Sequence, residues 1–191
     1  MPSNALLQWR DERSRSLDEF EMAHRGIGGS KRGRRYTTQQ INRAYAVLVS
    51  AHFQGFCREL HSECINALTQ TVPSGLVKAS FQKALLYGRK LDRGNPNPGN
   101  IGEDFNRFEF LFWDTVYKLD HRNKGYRNLL ENLNQWRNAI AHQDFNPLIL
   151  GATILRLSIV RAWRRACDQL ATAFDETMKS QLTAMTNNVP W

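Results

Sequence analysis

The sequence is poor in cysteine and has no long apolar run. Three cysteines among 191 residues are too few for a disulfide scaffold, and their odd number fits a reducing compartment. The longest apolar stretch, Leu148 to Val160, contains Arg156 and is far shorter than the roughly 20 residues that cross a bilayer. The N-terminus lacks the apolar centre of a signal peptide. We therefore expect a cytoplasmic protein without a membrane segment.

The motifs of several common enzyme classes are also missing. The sequence has no Walker loop, no GxGxxG after a strand and no GxSxG, which argues against the commonest NTPases, dehydrogenases and hydrolases. His52, Cys57, His61 and Cys64 fall on one predicted helix, but no second pair with ligand spacing occurs elsewhere. We therefore expect no metal and no cofactor, and we expect His52 to be a core histidine.

Acidic residues are scarce relative to basic ones. The chain has 26 Lys and Arg against 18 Asp and Glu, a net charge of +8, which favours a polyanionic partner, either nucleic acid or an anionic membrane surface. Four glycines and four basic residues share the segment 26–35, which predicts a flexible loop. Its basic residues, which either bind the RNA backbone or belong to a solvated connector, are Lys31, Arg32, Arg34 and Arg35.

Hydrophobic periodicity predicts helices and no strand. We expect an all-α, antiparallel bundle of about five to six helices. The predicted helices cover residues 5–25, 37–71, 76–91, 103–119, 124–142 and from 148 or 151 to 185, with a loop at 93–102. The first 35 residues form a charged N-terminal helix and a basic loop, and residues 36–191 form the main helical domain. The aromatic residues expected in the core or at a dimer contact are Phe105, Phe108, Phe110, Phe112, Trp113 and Tyr117.

The helix over residues 124–142 carries the clearest functional pattern. On a helical wheel its apolar residues fall within about 60° of Leu133. These residues are Tyr126, Leu129, Leu130, Trp136 and Ile140. Arg137 falls inside this stripe, where a charged guanidinium is costly unless it is paired or lies at an interface or cleft. Asn138 and His142 lie on the polar side, four residues apart, so their side chains can touch.

The run from Arg137 to His142, RNAIAH, resembles the RNxxxH signature of the HEPN superfamily, whose helical domains occur in many prokaryotic ribonuclease toxins and defence proteins. The motif ends a helix shortly before an Asn-Pro break, and the whole chain reads as helical. Residues 47–65 also resemble the long early helix of the branch associated with RiboL-PSP domains. The resemblance covers residues 37–175 and leaves residues 1–35 outside it.

This resemblance implies a metal-independent endoribonuclease that acts as a homodimer, with the R-x4-H motifs of both protomers lining one cleft. Attack by the RNA 2′-OH would leave 2′,3′-cyclic phosphate and 5′-OH ends. His142 would transfer protons and Arg137 would stabilise the phosphorane charge. Asn138 would orient His142 or bind a phosphate oxygen. A toxin or antiviral role, with an antitoxin or another regulatory protein as partner, also follows from the resemblance.

Other interpretations of the same residues stay open. Asp144 stands where some HEPN toxins carry a tyrosine that a partner nucleotidyltransferase modifies, so this route of neutralisation is doubtful. Arg137 could pair with a carboxylate at the core edge, and His142 could simply suit a helix C-terminus. The domain would then be a catalytically silent module that binds RNA, a nucleotide or a partner. A third possibility is a nucleic-acid-binding protein that uses a basic face on the last helix, formed by Arg156, Arg161, Arg164 and Arg165.

Overall fold

The computed structural model describes residues 1–27, 35–70 and 72–191, and these residues form helices and turns without any strand. The helices are α1 (Asn4–Gln8), α2 (Ser14–Ile27), α3 (Arg35–Leu68), α4 (Leu76–Leu86), α5 (Pro98–Phe105), α6 (Phe112–Leu119), α7 (Asn123–His142), α8 (Pro147–Leu150) and α9 (Leu157–Thr186). None of the described helices is long and apolar enough to span a membrane. The predicted all-α bundle is confirmed.

The three longest helices, α3, α7 and α9, form the centre of the bundle, with α9 packed against both others. Aromatic rings fill the space where α5 and α6 meet α9. The ring centroids of Phe105 and Phe112 lie 4.6 Å apart, and those of Phe112 and Phe174 lie 4.8 Å apart. The predicted core role is confirmed for Phe105, Phe108 and Phe112, which are fully buried.

Two predicted segments begin or break differently in the structure. The predicted loop at 93–102 is wrong from residue 98 onward, because Asn97 caps α5. Its side-chain oxygen accepts a hydrogen bond from the backbone N–H of Asn100 at 2.8 Å, and Pro98 takes the first helical turn. The helix predicted over 103–119 is interrupted because Glu109 adopts a left-handed conformation, with φ 63°.

The last predicted helix is divided in a similar way. Asn146 caps the short helix α8, and Gly151 ends it with φ 66°. α9 then begins at Leu157. Because α8 is only four residues long, the segment between α7 and α9 folds back beside the end of α7.

The N-terminal helices share the core of the main bundle. Ala5, Leu6, Trp9 and Leu17 are all buried in one cluster with residues of α3 and α9. The indole N–H of Trp9 donates to Asp168 of α9 at 3.0 Å, and its ring packs against Phe53 and Phe56. The division predicted at residues 35 and 36 lies at the start of α3, which begins at Arg35.

Candidate active site

The candidate active site lies at the C-terminal end of α7. Leu130, Leu133 and Trp136 are buried, and the rings of Trp136 and Trp163 of α9 lie 6.4 Å apart. This packing fixes the rotation of α7 about its axis. As a result, Arg137 is half-buried, whereas Asn138 and His142 are exposed.

The guanidinium of Arg137 forms a hydrogen bond with the side-chain amide of the next residue. Its Nη1 donates to the side-chain oxygen of Asn138 at 3.4 Å. No ion pair of Arg137 with a carboxylate occurs in the described part of the chain. The ion pair with a carboxylate that would indicate a structural role for Arg137 is therefore not observed among the described residues. Its positive charge is available to an anionic ligand.

Asn138 connects α7 to the loop before α5. Its side-chain oxygen also accepts a hydrogen bond from the side-chain amide of Asn95. No hydrogen bond between Asn138 and His142 occurs among the described residues, where the oxygen of Asn138 accepts from Arg137 and Asn95. The amide oxygen of Asn138 is therefore shared between the guanidinium of Arg137 and the amide of Asn95.

The residues that hold this loop in place were not predicted from the sequence. Asn134, one turn before Asn138, is buried and donates to the carbonyl of Pro96 at 3.1 Å. Asn100 donates to the carbonyl of Asn95 at 2.8 Å. Gln54 of α3 donates to the carbonyl of Gly94 at 2.9 Å. The spacing of Asn134 and Asn138, i and i+4 on one helix face, was the signal in the sequence that both could contact the same segment.

A pocket of about 280 Å³ opens beside His142. α7 ends at this point because Gln143 adopts a left-handed conformation with φ 56°, and the N–H of Asp144 bonds the carbonyl of Ala139 at 3.0 Å. This turn carries the following residues back along the last turn of α7. The pocket is lined by Gln135, Asn138, Ala139, His142, Asp144, Asn146, Ile149 and Leu150.

A second arginine lies close to the motif, from a different helix. The guanidinium carbon of Arg43 in α3 lies 4.0 Å from the ring centroid of Phe145, three residues after His142. Phe145 in turn packs against Trp136, with ring centroids 6.4 Å apart. This stacking ties the turn after His142 to α3 by a cation–π contact. Nothing in the spacing of the sequence indicated it.

The predicted basic contacts are only partly described. Lys31, Arg32 and Arg34 lie outside the described residues, and Arg35 is described only as the first residue of α3. On α9, Arg161 forms an ion pair with Glu21 at 2.8 Å, and Arg164 forms one with Asp18 at 2.8 Å. Those two side chains serve to attach α2, whereas Arg156 and Arg165 are exposed.

The histidines and cysteines of α3 lie away from this site. His61 is fully buried, and Cys57 and Cys64 are buried thiols whose pKa values burial raises well above the ordinary range. His52, predicted to be a core residue, is half-buried, and burial together with the nearby Arg13 lowers its pKa. The described residues contain no group of three or more side chains suited to hold a metal ion.

The helical bundle and the R-x4-H segment at the end of α7 are features of a HEPN-type nuclease or a related HEPN module. The chain belongs to the RiboL-PSP-HEPN family, whose model matches residues 8–180. This match extends further in both directions than the resemblance over residues 37–175, and it includes α2. No curated protein and no solved structure matches the chain.

Proposed function

We propose that the protein is a metal-independent endoribonuclease in which Arg137, Asn138 and His142 form the active site. The observation that carries this proposal is the arrangement at the end of α7. Arg137 has no carboxylate partner among the described residues and is held by Asn138, and Asn138 and His142 line one open pocket. A cation without a carboxylate partner and an exposed imidazole at the same end of one helix suit the cleavage of a phosphodiester.

The chemistry assigns one role to each side chain. His142 takes the proton from the 2′-OH of RNA, or gives a proton to the departing 5′-oxygen. Arg137 donates N–H groups to the phosphorane oxygens as negative charge develops on them. Asn138 positions Arg137 through its oxygen, and its NH₂ group is left to donate to the RNA. The products are a 2′,3′-cyclic phosphate and a 5′-OH.

The test is cleavage of total RNA in the presence of EDTA, followed by mapping of the ends. His142→Ala should lower the rate about 10²–10⁴-fold because the proton-transfer group is lost. Arg137→Ala should lower it about 10²–10³-fold because the transition state loses charge stabilisation. The matched controls are His121→Ala and Arg122→Ala, which change the same residue types near the other end of α7 and should keep the wild-type rate.

Three results would contradict the proposal: full activity in either folded active-site variant, loss of wild-type cleavage in EDTA, or ends that carry 3′-OH. Binding of RNA without any cleavage would instead identify the chain as a catalytically silent HEPN module. Circular dichroism of each variant establishes that it is folded.

A homodimer is part of the proposal, since the family resemblance implies that two R-x4-H motifs share a cleft. The surface beside the pocket supports it, because α8 and the following turn expose large apolar side chains. Leu148 is 94% exposed, Ile149 61% and Ile154 56%, and such a cluster favours an interface. Light scattering at micromolar concentration should give twice the chain mass, and a monomer would contradict the dimer.

The biological role we propose is that of a toxin or an antiviral effector under the control of a regulatory protein. Expression of the wild-type chain should then arrest bacterial growth. Arg137→Ala and His142→Ala should each relieve the arrest at equal protein levels, whereas His121→Ala should not. Equal toxicity of all four proteins would show that growth arrest does not come from this site.

A further inference from the structure

The pocket beside His142 combines an apolar wall with a polar rim. Ala139, Ile149 and Leu150 form the apolar part, whereas the side chains of Gln135, Asn138, Asp144 and Asn146 surround it. Its volume of about 280 Å³ is close to the lower end of the range for small-molecule sites. An apolar surface with polar groups around it has room for a flat ring and donors and acceptors for the edge of an unstacked base.

The carboxylate of Asp144 is the unexpected member of this rim. It lies two residues after His142, it is exposed, and its side chain has no ion pair or hydrogen bond within the described residues. Beside a site for a polyanion, a free carboxylate repels the phosphates of the ligand. A carboxylate is, however, an acceptor with two oxygens, so it suits a ligand that presents two adjacent N–H donors.

We infer that this pocket binds a guanine base of the RNA and that Asp144 is the residue that selects it. Guanine presents N1–H and the N2 amino group side by side on its Watson–Crick edge, which matches the two oxygens of a carboxylate. Adenine, cytosine and uracil each present one donor group on that edge, so they cannot make the paired contact. The inference rests on the proposed function, because it names the nucleotide that the same site accepts.

The amides of the rim complement the rest of the guanine edge. The side-chain oxygen of Asn138 accepts hydrogen bonds from Arg137 and Asn95, and that of Asn146 accepts one from the N–H of Leu148 at 3.0 Å. Both residues therefore have only their NH₂ groups left for a ligand. Guanine offers two acceptors, O6 and N7, and an NH₂ group can donate to either.

The position of the pocket connects base binding to cleavage. Because His142 lines the same pocket, a base held there brings its own ribose and phosphate close to the imidazole. Cleavage should therefore fall at a phosphodiester next to a guanosine. A base bound first would also orient the 2′-OH relative to His142, which lowers the entropic part of the barrier.

The first test measures binding of mononucleotides, which does not depend on catalysis. Calorimetric titration of the wild-type protein should show that 5′-GMP binds about tenfold or more tightly than 5′-AMP, 5′-CMP or 5′-UMP. Asp144→Asn should reduce the affinity for GMP to that for AMP, because one acceptor oxygen becomes a donor. Asp114→Asn, an exposed carboxylate on α6 that gives the same change of charge, should leave the preference intact.

The second test maps cleavage sites in a single-stranded RNA of mixed sequence. The wild-type protein should cut next to guanosine, and Asp144→Asn should cut with the preference lost. Equal binding of the four mononucleotides, or a guanosine preference that Asp144→Asn retains, would overturn the inference. A change from dimer to monomer in Asp144→Asn, seen by light scattering, would also overturn it by assigning the carboxylate to the interface. Absence of cleavage together with selective GMP binding would contradict the ribonuclease proposal alone.

Discussion

His61 shows how the burial of a single side chain sets a pH dependence. It is fully buried, edge-on to the rings of Phe105 and Phe108, and its Nε2–H donates to the carbonyl of Asp104 at 3.1 Å. Its Nδ1 has no hydrogen-bond partner among the described residues. Burial, with a smaller effect from Arg89, lowers the pKa of His61 from 6.5 to about 4. The folded protein therefore holds this imidazole in its neutral form.

We expect the free energy of unfolding to fall as the pH is lowered from about 6.5 to about 4. In this window the unfolded chain binds a proton at His61 and the folded chain does not, so acid favours unfolding. The loss from this group is about 3 kcal/mol, and it is absent above pH 6.5. Urea unfolding between pH 4 and 7.5 measures this loss of stability. Comparing the pH dependence of the wild type with that of a His61 variant isolates the contribution of His61.

The matched variants are His61→Gln, which keeps an N–H donor without titrating, and His121→Gln at a side chain that is 92% exposed. The pH dependence should flatten in His61→Gln and stay as in the wild type in His121→Gln. A slope that His61→Gln leaves unchanged would show that another group controls acid stability.

Part of the candidate site could be predicted from residues close in sequence, and part could not. Arg137, Asn138 and His142 occupy one helix, so spacing alone placed them at its end. Asn95 and Arg43 come from other elements, and Asn95 already lies 43 residues from its partner Asn138. No periodicity relates such residues, because their contacts depend on how the helices pack.

At the scale of elements, the segment between Leu91 and α5 is held in place from two sides. Gln54 of α3 donates to the carbonyls of Leu91 and Gly94 at 2.7 and 2.9 Å, and Asn134 of α7 donates to that of Pro96 at 3.1 Å. The segment therefore presents Asn95 to Asn138 at a fixed position. The support of Arg137 thus depends on a loop as well as on its own helix.

We predict that Asn134→Leu destabilises the fold by about 1–3 kcal/mol, because the buried carbonyl of Pro96 loses its donor. RNA cleavage should also slow, since Asn95 is no longer held against Asn138. Asn128→Leu, an exposed change of the same kind on α7, should alter stability by at most about 0.5 kcal/mol. Chemical denaturation and cleavage rates measure both effects. Equal stability of the two variants would contradict the anchoring role.

Long periodic helices were predictable, whereas breaks made by single residues were not. α3 and α7 begin and end within a few residues of the predicted bounds, because their apolar positions repeat over many turns. The cap at Asn97 lies in the predicted loop at 93–102, and the left-handed Glu109 lies inside the helix predicted over 103–119. At Glu109 the sequence shows neither glycine nor proline, so the tertiary packing of α5 and α6 decides the break.

At the scale of the whole molecule, the N-terminal helices belong to the main core. The predicted separation of residues 1–35 relied on their high charge and on the glycine-rich loop that follows. In the structure, two carboxylates of α2 pair with arginines of α9. Asp18 and Glu21 of α2 form ion pairs with Arg164 and Arg161 of α9, and Glu63 of α3 accepts hydrogen bonds from the first N–H groups of α1. The apolar side chains of the N-terminal helices are therefore buried, although the sequence around them is highly charged.

These ion pairs limit which basic side chains are available to bind RNA. Because Arg161 and Arg164 are paired with α2, the face predicted on α9 keeps two exposed cations, Arg156 and Arg165. The segment with Lys31, Arg32, Arg34 and Arg35 follows α2 and ends at the first residue of α3, and its side chains lie outside the described residues. We predict that this segment supplies the phosphate contacts that do not depend on base sequence.

Changing those four residues together to alanine should weaken RNA binding about equally for all sequences. Each lost phosphate contact should reduce the slope of log K against log salt by about 0.7, because fewer counterions are released. Cleavage at saturating RNA should change little, since the R-x4-H residues are untouched. The matched control is the Arg156→Ala and Arg165→Ala double variant. A smaller salt slope in the double variant, with an unchanged slope in the quadruple variant, would contradict this prediction. The RNA backbone would then run along α9, and the basic segment would be a solvated connector.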